Sequence, residues 1–291
     1  MAESPVGNTA LGAAICRLIE QYQPERTRLI SDPVVKDLVG GSVRTLMRFG
    51  PLRDYTLRQT ESNLNGLYGS QICRSRFIDD AVISALSSGI RQLVILGAGL
   101  DTRAYRLAGL ENTKVVEVDL PSVQNQKRRR LEARFGQLPE NVTLAPIDFN
   151  VQDLADALKG TPFYYARPAV YVWEGVTQYI SEDSVRRTFS FVGNSANGSV
   201  VLFTYVLKAV VERRSDVPDS NKMMDTVAKR GVPWVFGLEP SEVSTYLKQF
   251  NLNVVTDIGN TDYQTRYLKP IGRKLAVSEI ERTIHAQVVR S

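Results

Sequence analysis

The strongest constraint on the fold lies between residues 92 and 174, where four short apolar runs each break off at residues suited to binding. Residues 92–96 end in Gly97-Ala98-Gly99, residues 114–118 end at Asp119, 142–147 at Asp148 and 169–173 at Glu174. Short, nearly continuous apolar runs are the signature of strands buried on both faces. The segments between them have room for crossover helices, so the pattern predicts an α/β fold with a mostly parallel sheet. Ligands of such sheets bind in the crevice outside the carboxyl ends of the strands. The glycine turn and the three acidic residues are therefore expected to line one crevice.

The flanking sequence completes the layout. The first ninety residues read as helical: residues 9–21 carry Leu11, Ala14, Ile15, Leu18 and Ile19 at helical spacing, and Phe77 to Leu86 form a second apolar stripe that Gly89 can close. Asp32-Pro33 opens a turn or a helix. A helix is expected from about Asp101, others over 122–135, 153–158 and 240–250, and one capped by Ser181 with Glu182 and Asp183 in its first turn. Further strands are expected at 199–205, 253–258 and, in the tail, 284–289. Residues 212–234 are polar, charged and poorly periodic, either a lid that shapes a substrate pocket or a surface excursion. No internal repeat or low-complexity stretch interrupts the chain, which reads as one domain over 1–291. Within it we expect a helical cover (1–90), a cofactor-binding core (91–205), the lid segment (206–240) and the rest of the core (241–291).

The glycine turn narrows the cofactor. Gly97 and Gly99 permit close approach of a ligand to the backbone. Asp119 follows Gly99 by 20 residues, the spacing of an acidic residue that binds a ribose. These features indicate an adenosine-containing cofactor. A dinucleotide site asks for a third glycine, yet Thr102 occupies that place, and Asp101 stands where a diphosphate would meet the helix N-terminus. A cofactor without phosphate and with a positive centre, S-adenosylmethionine, suits the acidic strand ends better. An NAD-dependent oxidoreductase is the weaker alternative.

Composition removes other classes. The charge is mild, 36 basic against 31 acidic residues. The one dense basic run, Lys127 to Arg130, reads as a solvated helix face, so no nucleic-acid partner is expected. Cys16 and Cys73 form no CxxC pair and are expected to be reduced, buried and inert, with no metal site. The single histidine, His285, is the only imidazole available as a base. No 18-residue apolar run predicts a membrane span, and residues 1–9 lack the basic-then-apolar pattern of a secretory leader, so a cytoplasmic location is the expectation.

Several segments together resemble the class I S-adenosylmethionine-dependent methyltransferases of the leucine carboxyl methyltransferase-like group, in particular its small-molecule branch. They are Thr9-Ala10-Leu11 with Arg17 and Asp32-Pro33, then Arg74-Ser75-Arg76-Phe77-Ile78-Asp79-Asp80. LVILGAGLDTRAYRL, from Leu93 to Leu107, is similar to the group's fingerprint, Glu117-Val118-Asp119-Leu120-Pro121 to its EVDxP motif, and Glu174 to Ile180 to its ExVxxY motif. The resemblance implies a Rossmann-like sheet of seven strands with helices on both faces, a helical cover, and S-adenosyl-L-methionine as cofactor. It implies that Arg74 holds the cofactor's carboxylate and that Gly97, Ala98 and Gly99 pass beneath its methionine part. Asp119 and Leu120 would meet the ribose, Asp148 and Phe149 the adenine, and Glu174 the ammonium. Arg17 and Arg76 are weaker candidates, Arg76 being equally suited to an ion pair with Asp79 or Asp80. Asp101, Arg103 and Arg106 belong to the fingerprint and read as a helix cap with its anchoring arginines.

The resemblance further implies methyl transfer to an oxygen of a small molecule, a carboxylate or a hydroxyl. Tyr179 and His285 are the candidate catalytic residues; Tyr22, Tyr55, Tyr68, Trp234 and Phe236 are candidates to line an acceptor pocket. A carboxylate is already ionised at neutral pH, which accords with the scarcity of histidine. Methylation of a protein C-terminal carboxylate is the alternative. The sequence departs from the eukaryotic protein-phosphatase methyltransferases there, with Asn150 where they carry the arginine that receives that carboxylate.

Overall fold

A computed structural model describes residues 5–290 of the chain; residues 1–4 and 291, ends of the expected cover and core, lie outside the described residues. The described residues form a seven-stranded sheet: β1 (Gln92–Leu96), β2 (Lys114–Asp119), β3 (Val142–Pro146), β4 (Val170–Trp173), β5 (Val200–Val206), β6 (Leu252–Ile258) and β7 (Glu281–Val288). The strand order is β3-β2-β1-β4-β5-β7-β6. β1 to β5 pair in parallel and β7 runs antiparallel to both β5 and β6. The order reverses between β1 and β4, which is where open sheets of this kind bind ligands.

Helices cover both faces because the strands alternate. Leu93, Ile95, Val115, Val170 and Val172 point to one side, into a core shared with α1 (Pro5–Glu20), α2 (Val35–Leu38), and, after α3 (Gly41–Arg48) and α4 (Gly50–Asn63), with α5 (Leu67–Ser87). Val94, Leu96, Val116, Tyr171 and Trp173 point to the other. Between them, α6 (Arg103–Arg106) and α7 (Pro121–Phe135) follow β1 and β2. The second core is closed by α8 (Leu154–Leu158), α9 (Glu182–Gly193) and, beyond α10 (Lys208–Val211) and α11 (Ser220–Lys229), by α12 (Val243–Lys248). A short α13 (Asn260–Tyr263) follows β6. Ser181 caps α9 as expected, its hydroxyl accepting from the Ser184 N–H at 3.2 Å. Cys16 and Cys73 are buried and unlinked, and burial pushes both thiols up to about 12.

Three expectations are corrected. The helix after β1 is only four residues long and begins at Arg103, because Asp101 and Thr102 are drawn into polar contacts with neighbouring segments. The segment 212–234 contains a helix, α11, that the dilute apolar pattern concealed; Met223, Met224 and Val227 form a small core with Trp234, Val206 and Ile280. The basic run on α7 is not wholly solvated. Lys127 is 1% exposed, and its Nζ lies 2.5 Å from the Glu117 carboxylate, itself fully buried on β2.

A buried pair of this kind is costly to break from one side. Burial pushes the Glu117 carboxyl up to about 6, against the opposing pull of Lys127. Lys127→Met is expected to destabilise the protein by about 3–5 kcal/mol in urea unfolding, and Lys127→Met with Glu117→Met to recover most of that loss. Since Glu117 takes up its proton at a higher pH folded than unfolded, the single variant should also regain stability as pH falls from 7 towards 5.

Candidate functional site

The carboxyl ends of β1, β2, β3 and β4 open into one cavity of about 640 Å³. Arg74, Gly97, Ala98, Gly99, Asp119, Leu120, Asp148, Phe149, Glu174 and Tyr179 all line it. Ten of the eleven residues singled out from the sequence are thus brought together. His285 is not. It sits in mid-sheet on β7, opposite Leu202 of β5 and Thr256 of β6, and does not line the cavity. Burial lowers its imidazole below the ordinary value, so it is neutral at pH 7. This removes His285 as a base acting in the cavity.

At the glycine turn the backbone is as tight as the sequence suggests. Gly97 has φ +65°, and a Cβ there would stand 2.3 Å from Val176 Cγ2. Only glycine fits both the conformation and the space. Asp119 is held beneath the turn, accepting the Gly99 N–H at 2.5 Å and the Leu120 N–H at 2.6 Å. Burial nevertheless raises its carboxyl above the ordinary value. Each carboxylate oxygen keeps acceptor capacity beyond these bonds. On the next strand, Asp148 closes an Asx turn by accepting the Asn150 N–H at 3.0 Å. Phe149 packs on Trp173, their ring centroids 6.2 Å apart.

A continuous ionic chain underlies the cavity, and Arg17, Arg74, Asp101, Glu174 and Glu281 of it line the cavity itself. Asp32 on the loop before α2 takes Arg17 at 3.1 Å and Arg106 at 3.7 Å. Asp79 of α5 takes Arg106 and Arg103, each at 2.7 Å. Arg103 also reaches Asp101 and, at 2.7 Å, Glu174. Glu174 takes Arg74 at 2.7 Å, and Arg74 ends the chain on Glu281 at 2.5 Å. Four guanidiniums thus serve five carboxylates. Burial opposes charge on Glu174, but Arg103, Arg74 and Arg17 together hold its carboxyl well below the ordinary range. Arg103 and Lys127 likewise outweigh burial at Asp101 and keep it ionised. The floor therefore carries an excess of negative charge.

This chain changes the reading of single residues. The Arg74 fork is engaged by Glu174, Glu281 and Gln71, so it does not stand open as a bidentate clamp for a carboxylate. Arg17 is buried against Asp32 and the Leu100 carbonyl, where its Nη2 donates at 2.6 Å. Arg76 pairs with Asp80 at 2.8 Å, half-exposed and away from the cavity. Asp101 does cap α6, accepting the Arg103 N–H at 2.7 Å. The dinucleotide alternative finds no support: the helix after β1 has one turn, and Asp101 fills its start.

Sequence reasoning missed Glu281, which reaches the site only because β7 runs antiparallel and starts at this edge, opposite Val206. It also missed Gln178, Met223 and Val227. The far end of the cavity is walled by α4, α5 and α11 and by the turn at Thr177–Tyr179. Of the five proposed aromatic lining residues, Tyr55, Tyr68 and Trp234 line the cavity, whereas Tyr22 and Phe236 do not. Among the described residues, no helix is long and apolar enough to cross a membrane.

Comparison with known proteins agrees with this geometry. A protein of Mycolicibacterium paratuberculosis, provisionally named an S-adenosyl-L-methionine-dependent methyltransferase, is 34% identical over 206 residues, 67% of this chain and 63% of its own length. A similarly named Mycobacterium bovis protein is 34% identical over 210 residues, 70% of this chain and 66% of its own. The chain thus matches just under two thirds of these relatives' length. A crystal structure of a provisionally named methyltransferase from Thermobifida fusca superposes with a TM-score of 0.59 at 20% identity, covering 88% of this chain and 94% of that one. A DUF574 family protein of Streptomyces avermitilis does so with a TM-score of 0.53 at 14% identity, covering 93% of this chain and all of that one. Both likenesses bear on the fold. The family described as leucine carboxyl methyltransferase matches residues 10–193, the stretch that holds the glycine turn, the acidic strand ends and all of the ionic floor except Glu281. The chain belongs to the leucine carboxyl methyltransferase family.

Proposed function

We propose that the protein is an S-adenosyl-L-methionine-dependent methyltransferase that methylates an oxygen of a small molecule, a carboxylate or a hydroxyl. The observation that carries this reading is the anion-rich floor directly beneath the glycine turn. S-adenosylmethionine supplies an activated methyl group on a sulfonium, and its positive charge suits a floor of four guanidiniums and five carboxylates. Gly97 and Gly99 allow its methionine part against the backbone. Asp119 accepts from the ribose hydroxyls, while Asp148 and Phe149 border the adenine. Glu174, fixed by Arg74 and Arg103, faces the ammonium; the role of Arg74 is then to position Glu174.

What the chain contributes to rate is position. Holding an acceptor oxygen in line with a reactive centre is worth up to about 7–11 kcal/mol. The covers α4 and α11 wall the far end of the cavity, where they would limit the access of water to a bound acceptor. Tyr179 lines the acceptor end, and burial raises its phenol above the ordinary value, so at pH 7 it donates a hydrogen bond and is no base. With His285 outside the cavity, the site suits an acceptor that ionises with little help, a carboxylate or a phenol. The protein-carboxylate alternative loses support at Asn150. The nearby Arg187 does not stand in for an arginine at that position, because it is spent on Asp153 and the carbonyls of Phe149 and Asn150.

Calorimetry should show S-adenosylmethionine binding and no NADH binding. Asp119→Asn should weaken the former about tenfold or more, the cost of one hydrogen bond to a charged group; unchanged affinity would remove Asp119 from the site. In an acceptor screen of carboxylic acids and phenols, His285→Gln should leave kcat within about twofold of the parent, and the pH profile should show no limb near the imidazole value of about 6.5. A tenfold fall in kcat would restore His285 to the mechanism.

A further inference from the structure

Among the described residues, three cations line the cavity, and two of them are spent. Arg17 is held by Asp32 and the Leu100 carbonyl, and Arg74 by Glu174 and Glu281. The third, Arg230, is the C-cap of α11, and its guanidinium has no ion pair or hydrogen bond among the described residues. The acids of that helix and of its N-cap are engaged elsewhere. Asp225 pairs with Arg213 at 2.8 Å, and Asp219 accepts the Asn65 N–H at 3.2 Å. A helix C-terminus favours a cation in any case. What sets Arg230 apart is that it faces a cavity.

That cavity is polarised. The carboxylates that line it, Asp101, Asp119, Asp148, Glu174 and Glu281, all come from strand ends or the loops beside them. Arg230 stands on the far wall and is exposed, so its guanidinium meets the cavity at the rim. The wall next to it is apolar, with Leu57, Leu64, Leu67, Met223 and Val227. Polar groups there are closed on one another, the Tyr179 hydroxyl being hydrogen-bonded with Trp234 and with Gln178. α4 supplies part of this wall, yet none of its 14 residues is buried. A helix in a protein owes most of its stability to a packed apolar face. An apolar body lying in the cavity beside Leu57 would give α4 one.

An open cation at the rim and an apolar wall specify a ligand. We propose that Arg230 is the specificity anchor of the acceptor pocket, and that the acceptor is an apolar molecule carrying an organic anion. The anion pairs with the guanidinium at the rim, where the planar fork matches two oxygens. The apolar body lies along the wall of α4 and α11. Arg230 holds the anion by charge and not by its reactivity, so a sulfonate serves as well as a carboxylate. The inference rests on the methyltransferase reading for its biological sense, since it names the class of acceptor. The anchor itself can be tested without turnover.

The probes are 2-naphthoate, 2-naphthalenesulfonate, 2-naphthol and naphthalene, titrated into the full chain by calorimetry with and without S-adenosylhomocysteine. Both anions are expected to bind about fivefold or more tighter than naphthol and naphthalene. That advantage should shrink as salt rises from about 0.05 to about 0.5 M. Arg230→Gln should remove it and leave naphthalene affinity unchanged, and Arg230→Lys should keep part of it. Arg230 is exposed, so these variants are expected to fold, which circular dichroism checks. Anions that bind no tighter than naphthalene, a gain for the carboxylate alone, or an Arg230→Gln variant that keeps the gain would each overturn the proposal. So would weaker S-adenosylhomocysteine binding by Arg230→Gln, which would assign the guanidinium to the cofactor's carboxylate. Anion selectivity that depends on Arg230, in a chain that binds no S-adenosylmethionine, would uphold the anchor and overturn the methyltransferase reading instead.

Discussion

Arg103 is the interaction on which the site depends. Its guanidinium is 2% exposed and shared by Asp79 of α5, Asp101 at the start of α6 and Glu174 at the end of β4. A charge so deeply buried is tolerated only when its donors find acceptors. Here four of its five N–H donors have acceptors, the fourth being the Ser75 carbonyl, and the three ion pairs fix different segments: the helical cover, the loop after β1 and the switch-point strand. Removal of Arg103 would leave the Asp101 carboxylate without its ion-pair partner. The cover is therefore bound to the sheet ends by electrostatics as well as by its apolar face, and the cavity between them has a set shape.

The same ionic chain explains why the glycine turn is not a phosphate cradle. In a dinucleotide site the first turn of the helix after β1 presents free N–H groups. Here Asp101 accepts one of them and pairs with the Arg103 side chain. The carboxylates outnumber the guanidiniums, so the field at the turn favours a cation. A diphosphate would meet repulsion where a sulfonium meets attraction. The chemistry follows from which groups cap a one-turn helix, and the two glycines are compatible with either outcome.

The sequence reveals what is local. β1 and the ends of β2 and β4 are legible because an apolar run stops at a glycine or an acid, and Asp119 is legible by its spacing from Gly99. The side of the site formed by the glycine turn and the ends of β2 and β3 is contiguous in this sense. Elements that depend on long-range pairing are hidden. Glu281 lies 207 residues from Arg74, and only the antiparallel return of β7 brings them together. Lys127 looks like surface because its neighbours are arginines, yet its partner Glu117 waits on the buried face of β2. His285 looks like a base because it is the sole histidine, but its place in mid-sheet follows from strand register, which single-sequence patterns do not report.

The two ends of the cavity differ in the same way. Nearly everything at the glycine-turn end comes from residues 10–193, where the family matches. The opposite end draws Met223, Val227, Trp234 and Ile280 from beyond that stretch. Family membership therefore speaks to the floor and the glycine turn, and much less to the wall opposite. The wall is held by its own small core, in which Met223, Met224 and Val227 pack on Val206 and Ile280. The Val235–Gln178 backbone bond ties it to the turn at Thr177–Tyr179 and sets Trp234 beside Gln178. Changes in the length or sequence of the segment around α11 would reshape this end of the cavity without touching the ionic chain, to which α11 contributes no residue.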